Sequence, residues 1–124
     1  MHVYEYSVIR LVPKIEREEF INIGLLVFSK SKRKLLAKFH LDEKKITCFS
    51  SEIDFEILQK HVKAFEAIAL GTSTNNPIAT LEVDERFRWL TAVKSSCIQA
   101  SRPHPGMTMD LEVLFKNLYQ ELVL

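Results

Sequence analysis

The chain is short of the residues that build a stapled or loop-rich scaffold: 124 residues contain only 3 Gly, 4 Pro and 2 Cys. Cys48 and Cys97 lack the paired spacing of a disulfide framework or a metal site, so the expectation is two thiols in a reducing compartment, buried as small hydrophobes. No run of about 18 apolar residues is present, which excludes a membrane-spanning helix. The opening MHVYEYSVIRLV carries Glu5 and Arg10 and lacks the basic start and apolar core of a secretory signal. A cytoplasmic protein with no membrane contact is therefore expected. An excess of one charge sign is missing too, since 17 basic against 16 acidic residues leave +1. Also absent are a glycine-rich phosphate loop, a G-x-S-x-G elbow, an H-E-x-x-H pair and any Cys or His pair at metal spacing. Neither a cofactor nor a metal is expected, and an enzyme built on this chain would need an unfamiliar site.

What is present is an ordinary globular composition, with 47% hydrophobic and 27% charged residues, enough for one core and one domain over residues 1–124. Val3 to Val12 is rich in β-branched and aromatic residues and stops at Pro13, which reads as a first strand. Phe20 to Ser29 is apolar on both faces, as expected of a strand in the middle of a sheet. Leu35 to Leu41 alternates with period two and forms the third strand, joined to the second by a tight hairpin. The segment Asp42 to Phe49 is assigned no element.

The period then changes. Phe55, Leu58, Val62, Phe65 and Ala69 are spaced 3, 4, 3 and 4, one stripe of an amphipathic helix that Ser51 or Asp54 can cap and Gly71 can end. Residues 72–77 (TSTNNP) read as a loop by composition. Glu82 to Ala92 fits either a short helix or a strand, and the helix is preferred. Ser95 to Ser101 reads as a fourth strand, Arg102 to Thr108 as a loop, and Leu111 to Leu122 as a C-terminal helix started by Asp110. Hairpin-connected strands followed by helices make the fold class α+β, a mainly antiparallel sheet of about four strands. The two clear helices are expected on one face of it.

Three polar groupings stand out. Residues 29–45 hold seven bases against two acids, and Lys30, Lys32, Arg33 and Lys34 lie at the hairpin tip, where they make a possible anion-binding patch. The tip has no aromatic to stack on a base and hairpin lysines commonly serve solubility, so nucleic acid is a lesser alternative and the tip reads as solvated. The second grouping is Glu16, Arg17, Glu18 and Glu19, followed by Asn22 and Gly24 within an otherwise apolar strand. A buried amide must be hydrogen-bonded there, and the glycine must admit a bulge or a close neighbour. The third is Arg86, Trp89, Ser95, Gln99, Ser101 and His104, which could hold a phosphate, a nucleotide or a peptide. The Glu16 to Glu19 connector is expected near Arg86 and His104, with Asn22 buried and hydrogen-bonded beneath them and Arg10 part of the same candidate binding site.

The stretch from Tyr6 to Phe28, with its run Arg10, Val12, Pro13, Glu16, Arg17, Glu18, Glu19, Phe20, Asn22 and Gly24, resembles the small bacterial proteins of domain-of-unknown-function family 3037. A second matching block runs through Arg86, Phe87, Trp89 and Leu90 to Ser95, Ile98, Gln99, Ser101, His104 and Gly106, so the resemblance covers essentially the whole chain. No reaction is established for that family. Its members are often encoded beside a HipA-like kinase-fold protein, and the resemblance therefore implies a companion subunit. The leading expectation is a non-catalytic interaction module. The alternative is an enzyme or sensor that uses Arg86, Glu16 or Glu18 and His104 on a phosphate-bearing small molecule.

Overall fold

In the computed structural model, residues 2–12, 19–49, 54–71, 81–91 and 98–124 are described. Strands β1 (His2–Leu11), β2 (Ile21–Ser29) and β3 (Lys34–Phe39) are followed by helices α1 (Glu43–Phe49), α2 (Phe55–Leu70) and α3 (Val83–Thr91). Two short strands, β4 (Ile98–Ala100) and β5 (His104–Thr108), precede the last helix, α4 (Leu111–Leu122). The fold is α+β, built on one antiparallel sheet of five strands in the order β3-β2-β1-β4, with β5 also on β1.

The two long strands are both interior. β2 pairs with β1 and β3, as its two apolar faces demand, while β1 carries β2 on one edge and β4 and β5 end to end on the other. A β-bulge shifts the β1–β2 register between Ile9 and Arg10, where Ile9 stands opposite Gly24 and Arg10 opposite Asn22. The extra residue is accommodated because Gly24 has no Cβ. One built there would run into the Phe39 ring, which meets Phe65 of α2 edge-on at 5.6 Å.

The strand β5 corrects the expected loop at Arg102 to Thr108. Pro105 and Gly106 are turn residues by composition, yet each has a place in this ladder. Val8 N–H donates to Ser101 Oγ and Ser101 N–H to the Val8 carbonyl, so the even-numbered β1 residues direct their backbone groups towards β4 and β5. Pro105 stands opposite the odd-numbered Glu5, where no N–H is required, and Gly106 lies under the Tyr4 ring. Asp42 to Phe49 also resolves, as α1, with Ile46 buried and Asp42 Oδ1 accepting from Lys45 N–H.

The helices do not share a face. α2 and α3 pack Leu58, Val62, Ile68, Phe87 and Leu90 against Ile9, Leu11, Ile23, Leu26 and Phe28. On the opposite face, α4 packs Leu111, Tyr119 and Val123 against Val8, Leu25 and Val27. The physical reason lies in β2: a strand apolar on both sides needs cover on both sides. Asp54 Oδ1 caps α2 by accepting from Glu56 and Ile57 N–H, and Gly71 ends it at φ 69° in the left-handed region; Ser51 and residues 72–77 lie outside the described residues. Asp110 caps α4 in the same way. Cys48 is an exposed free thiol rather than a buried hydrophobe, and Cys97 lies outside the described residues. Among the described residues no helix is long and apolar enough to cross a membrane.

Candidate functional site

The even-numbered residues of β1 point to the α4 side of the sheet. Arg10 there has Asn22 opposite it on β2 and Gln99 opposite it on β4, so three of the predicted site residues form one row across three strands. The guanidinium of Arg10 lies 4.2 Å from the centre of the Phe20 ring, a cation–π contact on a half-exposed aromatic. Asn22 Nδ2 donates to the carbonyl of Leu122 at 3.0 Å, which ties β2 to the last turn of α4. Arg10 Nε and Asn22 Oδ1 are buried and have no hydrogen-bond partner among the described residues.

Ser101 has a structural role. Its Oγ accepts from Val8 N–H at 2.9 Å, and its carbonyl accepts from the buried Ser7 Oγ at 2.7 Å, so the side chain bridges the break between β4 and β5. Ser101→Ala would leave the Val8 N–H without its acceptor and is expected to cost about 1–3 kcal/mol in urea unfolding. A loss below about 0.5 kcal/mol would show that the bridge contributes nothing. His104, next along the same edge, sets its ring 5.0 Å from that of Tyr6, again on the α4 side.

Arg86 and Trp89 lie elsewhere. They belong to α3, which covers the opposite face of the sheet, so Arg86 and His104 do not meet, and the Glu16 to Glu18 part of the connector expected near them lies outside the described residues. Arg86 Nη1 donates to the Leu81 carbonyl at 3.2 Å, a link within its own helix approach, and its Nε is buried with no partner among the described residues. Asn22 is hydrogen-bonded as expected, but to α4 and not beneath Arg86. Glu19 is exposed, and Glu16, Arg17, Glu18 and Ser95 lie outside the described residues.

At the hairpin tip, Arg33 adopts φ 49° and pairs with Glu82, while Lys34 pairs with Glu112. Two of the four tip cations thus face carboxylates, and both pairs are exposed. His2 stands close enough that its pKa is held below the ordinary histidine value, first by partial desolvation and then by the Lys32 charge.

Sequence reasoning missed one surface. Val3 and Met107 are cross-strand partners on the α3 side, and they are 56% and 62% exposed. Glu5, the next residue on that side of β1, pairs with Arg88 at 2.8 Å, and Arg88 and Trp89 line an open groove of about 530 Å³ floored by Phe28. Val3 carried a usable signal in its strand parity. Met107 carried none, because a residue assigned to a loop has no face.

Neither the curated proteins nor the solved structures give a match to this chain. The family comparison does, over residues 6–123, which include the Arg10–Asn22–Gln99 row, the Ser101 bridge and the α3 groove. With nearly its whole length matched, the chain belongs to the family described as protein of unknown function (DUF3037).

Proposed function

We propose that this protein is a non-catalytic, cytoplasmic interaction subunit that docks a larger protein through the strip formed by Val3 and Met107 and continued by the α3 groove. The supporting observation is the exposure of that cross-strand pair, 56% and 62%, on a sheet face that α2 and α3 otherwise cover. Two large apolar side chains side by side in water are an ordinary cost at an interface and a liability elsewhere. The suspected partner is a HipA-like kinase-fold protein. A phosphate-binding enzyme or sensor needs Arg86 and His104 around one ligand, and their placement on opposite faces of the sheet weighs against it.

Capture of partners by the tagged chain tests the proposal, both from its native host and after co-expression with a HipA-like protein. The Val3→Ser, Met107→Ser double variant is expected to lose about 2 kcal/mol of binding, roughly a thirtyfold drop in affinity, with its thermal midpoint unchanged. Recovery of the wild-type chain alone under gentle conditions would sink the idea.

A further inference from the structure

The open groove of about 530 Å³ between α3 and the start of the β2–β3 hairpin has Phe28 and Leu81 as apolar lining, and Trp89, 38% exposed, lines it from the helix. Asp84 and Arg88, and Glu85 and Trp89, are each one turn apart on α3, so two carboxylates, a guanidinium and an indole occupy adjoining rows of one helix face. Arg88 is already held by Glu5 at 2.8 Å, and Arg33, beside the groove on the hairpin, by Glu82. Among the described residues this leaves Asp84 and Glu85 with no cation, against a single lining lysine, Lys30, with no carboxylate. Helix polarity accounts for acids in the first turn of α3, but not for their standing unpaired beside an apolar cleft while both neighbouring arginines are taken.

This lining selects among partners by chemistry. A carboxylate or phosphate would meet Lys30 but face two like charges, so an acidic segment or a nucleic-acid strand is disfavoured. A lysine would bring a compact, strongly hydrated charge. An arginine brings a planar one that stacks on an indole and forks towards carboxylates, while its methylene stem lies along apolar surface. We propose that the α3 groove receives an arginine of the partner protein, its guanidinium over the Trp89 ring and against Asp84 and Glu85, its stem along Phe28 and Leu81. Exposed ion pairs contribute little singly, so the arginine adds selectivity to a contact whose strength comes from its neighbours, and a short peptide alone should bind in the millimolar range. The inference rests on the interaction reading for the source of the arginine, since the groove continues the strip of Val3 and Met107.

The test is a titration of the ¹⁵N-labelled chain with acetyl-Leu-Arg-Leu-amide, following the indole N–H of Trp89, the one tryptophan, and the backbone amides of Asp84 and Glu85. Saturable shifts are expected. The affinity should fall at least about tenfold with acetyl-Leu-citrulline-Leu-amide, which keeps the shape and loses the charge, and likewise in the Asp84→Asn, Glu85→Gln double variant. Signals that stay still at about 10 mM peptide overturn the proposal, as does equal affinity for the citrulline peptide. Tighter binding of acetyl-Leu-Glu-Leu-amide would overturn it in favour of an acidic partner held by Lys30, and signals that move on dilution of the chain alone would assign the groove to a second copy. The citrulline probe needs no variant, so a folding defect in the double variant cannot blur the result. Capture of the partner through Val3 and Met107 is read separately: a silent peptide with capture intact removes the arginine alone, and lost capture with the peptide still binding removes the interaction reading alone.

Discussion

Phe87→Ala is expected to lower the free energy of unfolding by about 3–5 kcal/mol, the largest single effect in the molecule. Phe87 has no exposed surface, and its ring stacks on Phe28 with centroids 5.0 Å apart. It and Leu90 are the buried residues of the nine-residue α3, so the cavity left by truncation has little neighbouring mass to collapse into it. Urea unfolding should show a lower midpoint at unchanged slope. Trp89 is the one tryptophan of the chain, and its emission reports whether α3 stays on the sheet after the change. Phe87→Leu should recover more than half of the loss. A Phe87→Ala cost within 1 kcal/mol of zero would mean that α3 is not anchored by this ring.

Gly24→Ala is expected to be the second largest, costing about 1–3 kcal/mol, although replacing glycine in a strand interior ordinarily gains about 0.5–1 kcal/mol. The sign is decided by the Phe39 ring, which occupies the place of the new Cβ and is itself held edge-on by Phe65. The double variant Gly24→Ala, Phe39→Leu supplies the check. If the clash is the cause, its cost will be lower than the sum of the two single costs by about 1 kcal/mol or more. Additive costs would place the strain in the backbone of the bulge instead.

Much of this architecture was legible in the residues. Strands β1 to β3 announce themselves by β-branched and alternating composition, and α2 by its 3-and-4 spacing with Asp54 and Gly71 at its ends. The doubly apolar β2 already implied cover on two sides, although both clear helices were expected on one. β5 escaped because Pro105 and Gly106 are turn residues wherever register does not excuse them, and the excuse depends on which edge of β1 their neighbours occupy. The site was half legible for a related reason. Arg10, Asn22 and Gln99 were each identifiable as polar residues in strands, but their alignment in one row depends on a bulge and on a pairing about ninety residues apart in sequence. Arg86 and His104 were grouped by their nearness in the chain, and that nearness says nothing about the side of a sheet on which a helix lands.

The place of β1 in the sheet also governs the order of assembly. Its partners on one edge, β4 and β5, lie near the far end of the chain, with Tyr6 facing His104 across 98 positions. On a ribosome β1 emerges early and folds with β2 and β3 into a three-stranded ribbon that lacks both its last edge and the helix α4 that seals one side. Until residue 108 is released, the nascent ribbon exposes Tyr4, Tyr6 and Val8 together with a row of unpaired amides and carbonyls. Ejection of the C-terminal segment, and not the early hairpins, therefore sets the moment at which the chain stops being adhesive. Contacts this distant in sequence also make refolding from denaturant slower than the helix content alone would suggest.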